Sequence, residues 1–452
     1  MEQVDAVVIG SGQGGVPLAV KLAAAGKRVV LFERERYGGS CINWGCTPTK
    51  AFLAAAHAAG RARNAATLGV RCDVHVDFTA VMERVRRIRD GFAQSTREQL
   101  LYAGVRLVDA EASFTPEGNV QGGGYTFAAD TVVIDTGSSP AVAPIPGIDD
   151  IPYLTDRNFW NLTTCPRRTL VIGGGYVAVE LGQGLARLGS EVHLILRGDR
   201  LMTGESAEVS AVLEEALARD GVRFHRGAQV AQARRKADDQ FVLVLDGGQT
   251  LEGDAVLMAV GRRPNTEALN AAAARIMLDK RGHVVVSDTL ETTRKGVYAI
   301  GEVAGQPAFT HVSWEDHRRL LATLHGSPRT RSDRILAYAV FTEPQVGRAG
   351  LSLEQAKAKG LRVREARMDV AGMKRAVEWN QESGFFQLLV ETDSDRILGA
   401  TLVGYEAAEL VHALLDFMEA GGTASGLHAL QHIHPTYAEY LPVLAGRLGP
   451  VM

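Results

Sequence analysis

A chain of 452 residues with 46% hydrophobic and 22% charged side chains has the make-up of a folded globular protein and is too apolar for a disordered one. With 49 Lys and Arg against 52 Asp and Glu, the net charge is −3, which excludes the one-sided field of a nucleic-acid or anionic-membrane binder. Four cysteines are too few for a disulfide scaffold, whereas 49 glycines point to tight turns and close backbone approaches in a large α/β protein. The opening segment, MEQVDAVVIGSG, has no basic stretch and its apolar run is cut by glycine, unlike a signal peptide. No run approaches the ~18 uninterrupted apolar residues of a spanning helix. The chain reads as soluble and cytoplasmic, with neither membrane nor nucleic acid as partner.

Residues 4–33 spell a complete βαβ unit. Val4 to Ile9 is a β-branched run, Val16 to Ala25 is helical and closed by Gly26, and Arg28 to Phe32 is the second strand. Gly10, Gly12 and Gly15 fit G-x-G-x-x-G. The first glycine permits the tight turn, the second admits a pyrophosphate to the backbone, and the third lets helix pack on strand. Phosphates would sit on the helix N-terminus. Glu33, 23 residues after Gly10, stands where a carboxylate accepts from ribose hydroxyls.

Next come a charged amphipathic helix over 79–105 and short hairpin-like strands over 107–134. TVVIDTGSSP is a strand running into a turn, and PIPG at 144–147 marks an exit. The βαβ unit then recurs at 168–197: strand, GGGYVA, a helix through Leu188 with Gly189 behind it, and a second strand from Glu191 to Leu196. Gly173 and Gly175 keep the first two glycine roles, and Ala178 replaces the third. Where the ribose-binding acid would stand there is Leu196, followed by Arg197. That favours a 2′-phosphate, hence NADPH over NADH, with Arg200 in support; a solvated strand-end charge is the plainer alternative for Arg197. Two such units imply two dinucleotides, one resident and one exchanging. Short strands return over 240–264, GVYAIGEVAG at 296–305 is again strand, turn and acid, and beyond about 330 come strands with two helical stretches.

Cys41 and Cys46 are spaced C-x4-C in GGSCINWGCTPTK, close behind the second strand of the first unit. On the first turn of a helix this spacing brings two sulfurs within bonding distance, and a helix N-terminus favours the thiolate. No second pair completes a metal site, and Cys72 and Cys165 read as inert buried thiols.

GGSCINWGCTPTK resembles the redox signature of the class I pyridine nucleotide-disulfide oxidoreductases, the family of glutathione reductase, dihydrolipoamide dehydrogenase and mercuric reductase. VIGSGQGG, IDTGSSP, VIGGGYVAVELG, AVGRRPN, YAIGEVAG, FTEPQVG and HPTYAE follow in family order across essentially the whole chain. The resemblance implies an α/β fold of two Rossmann-like dinucleotide-binding domains and a C-terminal α+β dimerisation domain. Its parts would be 1–150 and 266–330 for FAD, 151–265 for NAD(P)H, and 331–452 for the dimer interface. It further implies that Cys46 is the flavin-side thiolate and charge-transfer donor, and Cys41 the thiol that attacks substrate. Lys50 would lie by the flavin, paired with Glu180, which read alone is as readily a helix-surface charge. Tyr176 would gate the nicotinamide or else simply pack. FAD would be held by Gly10, Gly12, Gly15, Glu33, Lys50, Thr136, Gly137 and Glu302, and NADPH by Gly173, Gly175, Tyr176 and Arg197. His434, oriented by Glu439, would serve the other subunit's cysteine pair as acid and base; His432 reads as packing.

Glu302 stands where the family carries Asp, and Trp44 is bulky between the cysteines, shaping access or merely packing. No cysteine follows Cys165, unlike the C-terminal pairs of mercuric reductase and the larger thioredoxin reductases. The expectation is an FAD-dependent, NADPH-driven reductase of a disulfide substrate, working as a homodimer. The alternatives are an NAD-dependent dihydrolipoamide dehydrogenase, a metal or quinone reductase, and a flavoprotein redox sensor.

Overall fold

The computed structural model describes residues 1–236 and 240–448. Its first sheet is built from β1 (Glu2–Ile9), β2 (Val29–Glu33), β3 (Arg106–Asp109), β4 (Ser113–Phe114), β5 (Val120–Gly122) and β6 (Tyr125–Ile134), in the order β3-β2-β1-β6-β5-β4. β1 is parallel to both β2 and β6. A strand buried on both faces needs apolar residues at successive positions, and β1 supplies them from Ala6 to Ile9. Ala6 and Val8 pack with Val16, Leu18, Ala19 and Leu22 of helix α1 (Gly15–Ala24), while Val7 and Ile9 meet Phe32, Phe114 and Phe127 on the other side. The stretch expected as hairpins is therefore only partly so. β4, β5 and the start of β6 pair antiparallel, but β3 and the rest of β6 belong to the parallel sheet. Helices α2 (Gly39–Asn43), α3 (Cys46–Asn64) and α4 (Phe78–Tyr102) fill the connection between β2 and β3.

Ser138–Pro140, β7, pairs with Arg262–Pro264 and joins the first unit to the second. There, β8 (Arg168–Ile172), β9 (Glu191–Ile195), Arg223–His225 and Ala255–Met258 form a parallel four-stranded sheet. Helix α5 (Tyr176–Leu188) follows β8 and stops at Gly189, whose φ of +115° suits only glycine well. α6 (Ala207–Arg219) is capped by Ser206. Val297–Ala299 then pairs parallel with Val132–Ile134 of β6, returning the chain to the first sheet before helix α7 (Thr310–Leu324).

The last part is a five-stranded antiparallel sheet over Ala337–Gly404 with its own core. Among the described residues five helices accompany it rather than two, and of these only Ala407–Glu419 exceeds six residues. Short helices carry too few turns for a legible 3.6 period. Among the described residues no helix is long and apolar enough to cross a membrane.

Candidate active site

The glycines of the first unit make a tight turn and close approaches to a residue outside their motif. A Cβ on Gly10 would lie 2.3 Å from the carbonyl oxygen of Asp135, and one on Gly12 would lie 2.6 Å from its Oδ2. A Cβ on Gly15 would lie 2.5 Å from Gly10 O, and the Gly15 N–H donates to Asp135 Oδ2 at 2.7 Å. The loop thus closes around a buried carboxyl group that the motif does not contain. Burial raises the Asp135 carboxyl to about 7, although the Gly15 N–H opposes the shift. Glu33 points into the same cavity of about 400 Å3, with Ser11 N and Oγ on Oε2 and Glu35 N on Oε1. Thr136 and Gly137 line it too, tied to Asn265 by Thr136 Oγ1→Asn265 O (2.7 Å) and Asn265 N→Gly137 O (3.0 Å). Glu302 reaches Ser138 and the Arg262 guanidinium, which also pairs with Asp156 at 2.5 Å.

A second cavity of about 590 Å3 opens at the other glycine loop. A Cβ on Gly173, whose φ is +128°, would lie 2.2 Å from Ala259 O, but nothing lies within 4 Å of a Cβ on Gly175. That open space beside the first turn of α5 is the cradle an anion needs. Leu196 is buried under the loop, whereas Arg197 is exposed and makes no hydrogen bond or ion pair among the described residues. Arg200 is occupied, donating to Glu205 O at 2.6 Å and Thr203 O at 3.4 Å.

The cysteines sit on two helices rather than on one turn. Cys41 belongs to α2, Trp44 and Gly45 break the chain, and Cys46 opens the 19-residue α3. The two thiols line one cavity, and Cys46 Sγ lies 3.1 Å from Thr310 Oγ1 at the start of α7. The Cys41 hydrogen bond, the Thr310 hydroxyl and Lys50 lower the Cys46 thiol to about 6, against burial. The same hydrogen bond and burial push Cys41 far up. Lys50 Nζ meets Glu180 Oε2 at 2.9 Å across α3 and α5 and lies 4.3 Å from the Phe341 ring centre. Glu180 is buried and takes Phe341 N–H on its other oxygen. Cys41, Cys46, Lys50, Glu180 and Tyr176 line one apolar cavity of about 770 Å3, and Tyr176 also lines the second nucleotide cavity.

His434 and Glu439 are elsewhere. His434 Nδ1 holds Glu439 Oε2 at 2.7 Å, on a loop with the His434 side chain 62% exposed, and neither residue lines the thiol cavity of its own chain. Cys72 is exposed, which corrects the expectation of burial; Cys165 is half-buried and its thiol is pushed up to about 11 by burial. Trp44 is packed, with the Arg157 guanidinium 4.1 Å above its ring and Trp160 Nε1 donating to its carbonyl.

The profile described as pyridine nucleotide-disulphide oxidoreductase matches residues 4–316, and that of the family's dimerisation domain matches 336–445. The chain belongs to the pyridine nucleotide-disulphide oxidoreductases. It is 30% identical to a mercuric reductase of Staphylococcus aureus, over 98% of this chain and 81% of that one. With a dihydrolipoyl dehydrogenase of Thermus scotoductus it shares 33%, over 98% and 96%. Among solved structures it resembles the HOCl-induced flavoprotein disulfide reductase RclA of Escherichia coli, with TM-score 0.89 and 30% identity over 98% and 99% of the two chains. A pyridine nucleotide-disulphide oxidoreductase of this kind is a flavoprotein that uses FAD and a pyridine nucleotide and has a dimerisation domain. The residues present fit both groups: glycine loops at the head of α1 and α5, an acid at the end of β2, and space at Gly175.

Asp135, Asn265, Arg262 and Thr310 were not singled out from sequence. The first three lie in or beside motifs of the family order, IDTGSSP and AVGRRPN, which was the available signal.

Proposed function

We propose that the chain is an NADPH-dependent, FAD-containing reductase of a disulfide-type substrate, active as a homodimer. One observation carries this reading. A low-pKa thiol, its partner thiol and a Lys–Glu pair meet in a cavity that shares Tyr176 with a glycine-loop cavity whose second strand ends without an acid. FAD bound at the first glycine loop supplies hydride acceptance and electron delivery to the Cys41–Cys46 disulfide. The ammonium of Lys50, fixed by Glu180, places a positive charge beside Cys46 and favours its thiolate. Cys41, deprotonated by His434 of the partner subunit, attacks one sulfur of the substrate disulfide, and the leaving thiolate takes the proton back from that imidazole. The Cys46 thiolate then attacks the Cys41 sulfur of the mixed disulfide, restoring the Cys41–Cys46 disulfide and expelling the second substrate sulfur as a thiolate that takes a proton from solvent. Two electrons enter from NADPH and two substrate thiols leave.

Arg197 supports NADPH because its guanidinium, at the rim of the second cavity, is unpaired among the described residues and no carboxylate ends β9. The test is an anaerobic titration of holoenzyme with NADPH and NADH in parallel, followed by flavin absorbance, on wild type and Arg197→Glu. A long-wavelength thiolate-to-flavin band at lower NADPH than NADH, with the preference lost in the variant, supports the reading. Bleaching without that band removes the cysteines from the electron path. Equal effects on the two nucleotides remove Arg197 from the 2′-phosphate.

A further inference from the structure

The two cavities that meet at Tyr176 are also joined by a chain of buried and half-buried residues that the reaction above does not use. It starts in the loop after β9, where Arg200, on the wall of the nucleotide cavity, holds the carbonyls of Thr203 and Glu205. The Glu205 side chain turns inward and is 2% exposed. One carboxylate oxygen accepts from the Tyr338 hydroxyl. The other has no hydrogen-bond donor among the described residues and lies 3.6 Å from the Arg348 guanidinium. Arg348 is itself held by Thr401 Oγ1 at 2.8 Å. Tyr338 then stacks on Phe309, with ring centres 4.7 Å apart and planes 7° apart, and Phe309 stands 6.0 Å from Tyr176. Phe309, Tyr338 and Tyr176 share the cavity that contains Cys46 and Lys50.

Stacking alone leaves a ring free to slide over its neighbour, because dispersion varies little along the face. A hydrogen bond at the para oxygen removes that freedom. A carboxylate so deeply buried is also expensive unless paired, so Glu205 cannot shift without carrying its partners. We propose that Glu205 and Tyr338 are a positioning pair. They fix the Phe309 face that flanks the nicotinamide end of the bound nucleotide, and they tie it to the loop at the adenosine end. The inference rests on assigning the second cavity to the pyridine nucleotide, but not on NADPH being preferred to NADH. Reacting atoms must approach to about 3–3.5 Å for hydride transfer, so a loosened wall lowers the rate while contacts at the far end persist.

Tyr338→Phe deletes the hydroxyl and keeps the stack. In holoenzyme, flavin reduction at saturating nucleotide should slow about ten-fold in stopped flow. The dissociation constant of NADP+, from equilibrium titration, should stay within about two-fold of wild type, because the adenosine end is untouched. Glu205→Gln still accepts from the phenol and should retain most of the rate, whereas Glu205→Leu should match Tyr338→Phe. Combining Glu205→Leu with Tyr338→Phe should slow the step no further than either alone, as for two members of one interaction. Lower melting temperatures with an unchanged limiting rate would make the pair merely structural and overturn the proposal. So would multiplicative losses in the double variant. Wild-type holoenzyme whose flavin neither NADPH nor NADH reduces would remove the cavity assignment and the proposal together, whereas loss of NADPH preference alone leaves the pair standing.

Discussion

Thr310→Val exchanges a hydroxyl for a methyl beside the Cys46 sulfur and tests how the thiolate is held. Burial by itself would raise this thiol; the Cys41 hydrogen bond, the Thr310 hydroxyl and the Lys50 ammonium overcome it and bring the pKa from 9.0 to about 6. A hydrogen bond to a charged acceptor contributes about 1.5–3 kcal/mol, so loss of the hydroxyl should raise the pKa by about 1–2 units. The assay is the pH dependence of Cys46 alkylation by iodoacetamide in the anaerobically reduced holoenzyme, with peptide mapping to separate Cys46 from Cys41, Cys72 and Cys165. The wild-type midpoint should lie near 6, and that of the variant near 7–8 by the shift above. A variant midpoint indistinguishable from wild type would refute the assignment of Thr310 as a thiolate donor. Stability follows the same sign. Folding lowers this pKa, so the thiolate's contribution is complete above the unfolded value of 9.0 and is lost as pH falls through about 6. In Thr310→Val that loss should be complete at a higher pH.

Gly10→Ala and Gly175→Ala should part company: the first forces a Cβ onto Asp135 O at φ +104° and should cost more than about 2 kcal/mol in urea unfolding, while the second meets open space at φ −83°. Gly175→Ala should therefore keep or slightly raise the melting temperature yet weaken nucleotide binding, and a marked loss of stability would contradict the open cradle. Glu180→Ala leaves both Lys50 and the Phe341 N–H without their carboxylate partner, so unfolding free energy should fall by about 2–4 kcal/mol, and by less in Glu180→Gln. Identical stability in all three proteins would mean that the pair is incidental. His434→Ala should leave reduction of the flavin and cysteine pair intact but slow disulfide turnover by about 100-fold or more; a loss of only a few-fold across pH would end its acid–base role.

The first βαβ unit was legible to within two residues at every boundary, with strands expected at 4–9 and 28–32 and found at Glu2–Ile9 and Val29–Glu33. Its signals are local: apolar runs of strand length, a 3.6-residue period, and glycines at the turns. The same holds for the C-x4-C pair, for Lys50 and Glu180 once the family order was seen, and for the absence of an acid at Leu196. Trp44 gave no such signal, because its partners Arg157 and Trp160 are more than a hundred residues away.

Sequence by itself determined the two glycine loops, the redox pair and the acid at the end of β2, because each is written within one short stretch of chain. Only tertiary structure decided what those stretches face. Sheet order places β6 beside β1, and so brings Asp135 under the first glycine loop, 120 residues from the Gly15 amide it accepts. The return of the chain to that sheet delivers Thr310 to Cys46 across 264 residues, and the C-terminal sheet brings Tyr338 to Glu205 across 133. Such contacts leave no period or spacing in the sequence. They arise because closing a large loop costs entropy that grows only slowly with its length, so packing, not proximity in the chain, selects the partner.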